Sequence, residues 1–560
     1  MKMKPISQME LRFGATRDSE ALSIVPTGIT LFVGPNNSGK SLILKEIERF
    51  CNTYQSTNNK ILQNLDFNVP PYETVKEDIE RKKTPPNENE QVGANSIIVQ
   101  RLNAYQGQKP REVLPIDQLE TWVNQRLLPN LTRFYFSFLT VRLDGETRTT
   151  LLRPNNRGDL LATPTNILAA LWTDPEARAK IRDLTSEAFG TYFTIDALNA
   201  NQLRARMSKR PPADEAEEQS LDQRARDFHR DATEIIYASD GVKAFTGMLA
   251  TVLGQDYKIP LIDEPEAFLH PPLARRLGKE LAAVSGSRDA CSFIATHSAD
   301  FLMGCVQGSD RVNIVRLTHK GDVSTARLLS HDRLNEIIKS PLMRSSGVLS
   351  ALFHEGAVVC EADADRALYQ EINDRLAQFE TSNSSEALFL NAIGKQSVAK
   401  IAGPLREMGI PAAIAVDFDI FKKGVEFKQM LREISISSAL INTWCQFRAE
   451  LAQYCEDHGV DWKKGGIRDF EGEMKPAAEQ FLRNLADYGI FVVPIGEVEA
   501  WLGYLNIPPE GGKRNWLLNA FNTLGHSTDS ETYVRPEEGD IWDFVRDISA
   551  WVNNPERHGV

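Results

Sequence analysis

Apolar and polar positions along this chain fall into two blocks, each alternating between strand-like and helix-like periods. In the first block, short apolar runs lead to Ile29–Val33, a loop follows, and a helical pattern continues to about Tyr54. Residues 55–91 are rich in Asn, Pro, Lys and Glu and predict a weakly structured surface excursion. The stretch FYFSFLTVRLDGETRTTLL (134–152) predicts two strands around an Asp144-Gly145 hairpin turn. Helical patterns then run from about Thr165 to Leu203, break at the charged segment 209–223, and resume toward Tyr237. A helix over 242–253, a buried strand over 258–262, a helix over 273–284 and a strand over 292–296 complete the block.

After about Met343 the alternation restarts. Strands are predicted at 357–360, 388–393 and 412–416, with helices at 364–376 and 396–408 between them. This β-α-β-α-β order implies a second, smaller parallel sheet. Residues 417–489 read as mostly helical and polar, 491–494 as a further strand, and the tail to Val560 as helical and peripheral. The expected division is 1–345, 350–505 and a C-terminal helical extension over 506–560. No internal repeat is visible. No long heptad array separates the first loop from the later elements, which argues against a chromosome-maintenance ATPase with coiled-coil arms.

Composition narrows this picture only slightly. The 560 residues are 42% hydrophobic and 25% charged, ordinary for globular domains with sizeable cores. No apolar run has membrane-spanning length and the start MKMKPISQME lacks a signal-peptide core, so a cytoplasmic protein is expected. The six cysteines show no C-x-x-C pairing and are expected to be reduced core residues rather than zinc ligands. A net charge of −12 neither requires nor excludes a nucleic-acid partner, because a basic groove can coexist with an acidic whole.

The chemistry is concentrated in short segments. Gly34-Pro-Asn36-Asn37-Ser38-Gly39-Lys40-Ser41 fits G-x-x-x-x-G-K-[ST] in its strand–loop–helix setting. Its glycines let successive N–H groups face a phosphate chain, Lys40 would reach the β- and γ-phosphates, and Ser41 would hold Mg²⁺. In IPLIDEPEAFLH (259–270), an apolar strand ends in Asp263-Glu264, one carboxylate placed for Mg²⁺ and the next for an attacking water. Such a pair can also cap a helix, but that leaves the apolar approach and Pro265 unexplained. His297, in SFIATHS, follows a second buried strand, where a neutral imidazole could sense a γ-phosphate; alone it would be a structural histidine. Ser239 and Gly241 open a helix, good caps in themselves and also the parts that clasp a phosphate.

The second block carries acids at its strand ends: Glu361, Asp363 and Asp365, then Asp417 and Asp419, then Glu497 and Glu499. In an open parallel sheet these ends gather in one crevice. Converging carboxylates repel unless a divalent cation neutralises them, and an oxygen-rich set suits Mg²⁺ or Mn²⁺ in phosphodiester cleavage. Each cluster alone also reads as a solvated turn or a cap.

The order of these motifs resembles the ATP-binding-cassette class, and within it the soluble RecF-like ATPases and the OLD (overcoming lysogenization defect) family. The strand-Glu, then strand-Asp-x-Asp arrangement resembles the TOPRIM fold of topoisomerases, primases and OLD nucleases. The resemblance implies an α/β protein: an ABC-type P-loop ATPase with a helical insertion at about 160–235 that could serve dimerisation, then a TOPRIM domain. It assigns Lys40 to phosphates, Ser41 and Asp263 to Mg²⁺, Glu264 to the water and His297 to the γ-phosphate. Ser239 and Gly241 of one chain would cover the nucleotide of another. The family's metal-ligating Gln stays open among several, including Gln91 and Gln100. In the TOPRIM domain it implies Glu361, Asp365, Asp417, Asp419 and Glu499 as metal ligands (with Glu497 the other candidate for the last), Glu361, Asp417 and Asp419 being catalytic, and Lys513 as a late lysine near the scissile phosphate. Gly394-Lys395 matches the turn between the second strand and its helix. One departure is Ala362, where these domains carry Gly; a left-handed backbone there would be strained. The expected activity is a nucleotide-regulated endonuclease that uses ATP with Mg²⁺ or Mn²⁺ and acts on DNA as a homodimer or higher oligomer in anti-phage defence. The alternatives are an ATP-driven sensor with an operon-encoded partner whose TOPRIM module is degenerate or cuts RNA such as tRNA, and a DNA-repair ATPase.

Overall fold

The computed structural model describes residues 3–87, 90–101, 111–254, 256–287, 289–329, 347–380, 384–507, 513–530 and 532–559. The chain divides into two compact units, one of residues 1–33 and 37–332 and the other of residues 34–36 and 333–560.

The first unit is built on a six-stranded sheet. Its order is Val323–Leu329, Val312–Lys320, Ile29–Val33, Ser292–Ala295, Ile259–Asp263 and Thr140–Leu143. All neighbours are parallel except the terminal Val312/Val323 hairpin. Every residue of Ile29–Val33 is buried, as a continuous apolar run in a sheet covered on both faces must be. The register sets Phe32 beside Ala295 and Ala295 beside Asp263, so three segments of the motif set leave the sheet at one edge. The helix Lys40–Thr53 packs Ile43, Leu44, Ile47 and Phe50 into a core shared with Phe32, Phe293 and Phe136.

Three expectations for this unit need correction. Residues 55–91 are not weakly structured: Leu62–Phe67 pairs with Ile6–Leu11, and a helix spans Tyr72–Glu80. The Glu46 carboxylate accepts the N–H groups of Lys60, Ile61 and Leu62 and so fixes this return, a long-range bond that composition cannot reveal. The 134–152 hairpin is absent. Residues Thr132–Leu139 are helical, because Leu131, Tyr135 and Leu139 bury in the core four residues apart, and only Thr140–Leu143 is a strand. Asp144 instead closes a turn with Thr147. Finally, the stretch expected to be helical over 165–203 keeps its helices (Ile167–Thr173, Pro175–Phe189) but ends in the strand Tyr192–Asp196. That strand pairs antiparallel with Gln202–Ser208, so the 160–235 insertion carries a small sheet beside its helices. Alternating burial at Phe193 and Ile195 and at Leu203, Ala205 and Met207 drives the pairing.

The second unit holds a four-stranded, all-parallel sheet of order Ala387–Asn391, Gly356–Cys360, Ala412–Val416 and Ile490–Val492. Helices Asp363–Phe379 and Lys395–Glu407 make its crossovers. The tail is not peripheral: helix Asp540–Asn553 buries Ile541, Trp542, Val545 and Ile548 against Val358, Cys360 and Ala413 of the sheet. Its apolar stripe at helical spacing supplies one covering layer, which a parallel sheet needs on both faces. No helix among the described residues is long and apolar enough to cross a membrane. The cysteines are free; burial pushes the Cys51 thiol up to about 12 and the Cys291 thiol up to about 11.

Candidate functional site

In the phosphate loop, Gly34 and Gly39 have φ of 144° and 92°, and Asn37 sits in the left-handed region at 60°. At Gly39 a side chain would be strained by the φ of 92°, and its Cβ would also displace Ile61 Cδ1, 2.4 Å away. Asn36 and Asn37 face solvent, while Ser38 and Lys40 are buried. The Lys40 ammonium donates to Ser38 Oγ at 3.3 Å. Burial lowers its pKa to about 8, against the pull of Glu264, Asp263 and Glu266.

The acid-bearing strand delivers its residues to the same place. Ser41 Oγ donates to Asp263 Oδ1 at 2.9 Å across 222 positions of sequence. Burial raises the Asp263 pKa, the Ser41 bond opposes that, and Glu264 adds to it. Glu264 takes a left-handed φ of 49°, with its N–H donating to Ala295 O at 2.8 Å. Its carboxylate remains 48% exposed, and His297 Nε2 lies 3.9 Å from Glu264 Oε1. Burial and the neighbouring Lys40 depress the His297 pKa, so the imidazole is neutral near pH 7. Lys40, Ser41, Asp263, Glu264 and His297 therefore stand together. Their hard oxygen donors fit a divalent cation, and the loop fits a polyphosphate.

Two residues of this centre carry no clear sequence signal. Glu266 accepts the His297 N–H at 2.7 Å, and its Oε2 is buried without a hydrogen-bond partner. Arg148 donates to the main-chain oxygens of Asp263 and Glu264. Its segment resembled a hairpin, which hid it. Ser239 caps the helix Asp240–Leu253, accepting from Val242 N at 3.5 Å, and is exposed. Gly241 packs so tightly that a Cβ would approach Phe268 O to 2.7 Å. Of the open glutamines, Gln91 is exposed, and Gln100 is engaged with Arg101 O and Arg111.

In the second unit the acidic strand ends are neighbours: pairing sets Cys360 beside Ala415, and Phe418 N donates to Gly496 O at 3.0 Å. Gly394 N, in the turn after the edge strand Ala387–Asn391, donates to Glu361 O at 2.8 Å. Asp365 and Asp417 are both buried, and both act with burial to push the Tyr369 hydroxyl pKa well up. Asp365 Oδ2 accepts the Ala362 N–H at 3.0 Å, closing the first turn of its helix. The expected strain at Ala362 does not arise: its φ of −131° is ordinary extended backbone that any residue adopts.

Lysines already partner part of this centre. Lys395 Nζ bonds Asp419 Oδ2 at 3.0 Å, leaving Asp419 Oδ1 buried without a hydrogen-bond partner. Lys463 Nζ meets Glu497 Oε1 at 2.5 Å; that bond raises its pKa, with Asp419 and Asp417 adding to the effect. Glu361 and Glu499 each bury one carboxylate oxygen. Among the described residues, no three His, Cys, Asp or Glu side chains are gathered closely enough to hold a metal ion. Like charges spread apart, and two ammonium groups supply part of the counter-charge. The all-oxygen donor set and the orphaned Asp419 oxygen nonetheless fit Mg²⁺ or Mn²⁺. Lys513 opens the helix Lys513–Leu524, and its side chain lies outside the described residues. The structure thus offers Lys395 and Lys463 as cations at the acidic centre.

Residues 114–304 match the family described as an AAA domain, putative AbiEii toxin, Type IV TA system. Residues 352–419 match the TOPRIM domain of overcoming lysogenization defect protein-like chains. No curated protein matches the chain. Among solved structures, the chain is similar to an Smc head bound to the C-winged helix domain of ScpA, with 14% identity over 59% of this chain and 99% of that one and a TM-score of 0.35. It is also similar to the Smc head with an extended coiled coil from Pyrococcus furiosus, with 13% identity, 60% and 99% coverage and a TM-score of 0.34.

Proposed function

We propose that this chain, which carries the ATPase–TOPRIM architecture of the overcoming lysogenization defect family, is a nucleotide-regulated, divalent-metal-dependent endonuclease that cleaves DNA in the cytoplasm. The observation that carries the ATPase half is the Ser41–Asp263 bond, which closes the phosphate loop onto the acidic strand with Glu264 and His297 beside it. Lys40 and the loop N–H groups hold the phosphates. Ser41 and Asp263 are the ligands for Mg²⁺. The exposed Glu264 carboxylate takes a proton from the attacking water, and neutral His297 reads the γ-phosphate. Ser239, exposed at a helix start, and the half-buried Gly241 beside it close the nucleotide site of a second copy, so ATP acts as a dimer clamp.

In the TOPRIM unit, Glu361, Asp365, Asp417, Asp419 and Glu499 would hold Mg²⁺ or Mn²⁺. Such ions neutralise charge on the attacking and leaving oxygens of a phosphodiester. Asp417 and Asp419 orient the centre from one strand end, and Glu361 follows the end of the neighbouring strand. Lys395 and Lys463 place positive charge where a nucleic-acid phosphate would lie. This build suits a role in anti-phage defence.

The direct test is incubation of the full chain with plasmid, linear and phage DNA and with tRNA, each with Mg²⁺ or Mn²⁺. DNA cleavage lost in Asp417→Ala supports the reading; intact DNA under every condition defeats it. A second reading, a sensor ATPase with a degenerate or RNA-cutting TOPRIM module and a partner protein, draws on the spread of the acidic side chains. Cleavage of tRNA alone, or no metal binding at all, would favour it.

A further inference from the structure

The turn that replaces the expected hairpin is wired to the acidic strand. Asp144 and Thr147 bond each other through main chain and side chain, and Arg148 folds back over Asp144 O. From there its guanidinium, almost fully buried, spans two successive carbonyls: Nη2 donates to Asp263 O at 2.9 Å and Nη1 to Glu264 O at 2.5 Å. Between those carbonyls lies the left-handed backbone of Glu264, at φ 49°. A non-glycine residue holds such a conformation only where its surroundings over-determine it. Here three bonds do so, the two from Arg148 and the one from Glu264 N to Ala295 O.

The same turn reaches the phosphate-loop helix. Arg142 bonds Asp144 Oδ2 and also Glu48 Oε2, both at 2.7 Å, and Glu48 belongs to the helix that carries Lys40 and Ser41. A continuous chain of bonds therefore runs from that helix through Glu48, Arg142, Asp144 and Arg148 to the Asp263-Glu264 peptide.

We propose that Arg148 is a positioning residue for ATP hydrolysis: it fixes the Glu264 backbone so that the carboxylate stands over the phosphate loop. This rests on the assignment of Glu264 to the attacking water. Arginine suits the role because the two separated nitrogens of its rigid planar fork each hold one carbonyl, a spacing that the single nitrogen of lysine on its flexible stem does not fix. Arg148 touches neither nucleotide nor water in this role, so nucleotide affinity should hardly depend on it.

The test measures ATP affinity and steady-state hydrolysis for the full chain and for Arg148→Ala, Arg148→Lys and Glu264→Gln. In both Arg148 variants kcat should fall at least about ten-fold, while the Kd for ATP moves less than about three-fold. Millimolar guanidinium should restore part of the Arg148→Ala rate, which a general loss of packing would not allow. If Arg148→Ala does not fold, the Lys variant carries the same expectation. Hydrolysis within two-fold of the parent in a folded Arg148 variant, with Glu264→Gln inactive, overturns the inference, as does equal loss of affinity and rate. Parental hydrolysis in Glu264→Gln would instead overturn the assignment of Glu264 itself.

Discussion

Replacing Trp542 with Ala removes the largest fully buried side chain of the C-terminal helix. Its ring packs in the core that covers Val358 and Cys360, the strand leading directly to Glu361. The indole N–H meets Tyr504 Oη at 3.5 Å, so little hydrogen-bond energy is lost and the cost is mainly packing and cavity. Truncations of this kind cost about 3–5 kcal/mol when the surroundings cannot collapse. With a urea m-value of roughly 2 kcal/mol per molar, the unfolding midpoint of the second unit should drop by about 2 M. Trp542→Phe, which keeps most of the volume, should lose less than half of that. Urea titration of the full chain followed by tryptophan fluorescence gives the midpoint, and nucleotide binding at matched urea concentrations reports on the first unit. The nuclease unit should unfold early while ATP is still bound. A shift under 0.5 M, or a parallel loss of nucleotide binding, would refute the claim that this helix is a structural layer of the TOPRIM sheet.

Gly39→Ala should abolish ATP binding in a folded protein, since its φ is 92° and its Cβ would collide with Ile61; equilibrium binding of a labelled nucleotide checks this. Asp196 tests the insertion. Burial alone would raise its pKa, but the Leu198 N–H, Arg206, His229 and Arg204 outweigh that and hold it below the ordinary carboxylate value. Its contribution is therefore complete above the unfolded value and is lost as pH falls through the depressed folded one. Asp196→Asn should cost about 2–3 kcal/mol at pH 7, and thermal melts should show that cost shrinking as the pH falls below the unfolded carboxylate value. Ser239→Arg should block ATP-dependent dimer formation, measured by light scattering in a Glu264→Gln background, without weakening ATP binding to the single chain.

Much of the architecture was legible because its signals are local. The phosphate loop declares itself through Gly34, Gly39, Lys40 and Ser41, and the burial of all of Ile29–Val33 follows from its apolar run. The strand ends Asp263, Glu361 and Asp417 could be placed because parallel strands are short, apolar and followed by helices. What escaped depends on distant partners. Arg148 gains its role only when the Asp263-Glu264 peptide arrives 115 positions later. The aromatic run at 134–139 carries no period that separates strand from helix, and burial against the Lys40–Thr53 helix decides it. Likewise Lys395 and Lys463 look like surface charges until the fold sets them on Asp419 and Glu497.

The central claim is a division of labour: the first unit turns over ATP, and the second cuts nucleic acid under its control. One assay bears on it most directly. DNA cleavage and ATP hydrolysis are measured on the same preparations of parent, Asp417→Ala and Glu264→Gln protein, with ATP, with ADP and without nucleotide. The account predicts that Asp417→Ala loses cleavage and keeps hydrolysis, while Glu264→Gln loses hydrolysis and cleaves with an altered dependence on nucleotide. Undiminished cleavage in Asp417→Ala, or cleavage in the parent that ignores nucleotide altogether, would contradict it.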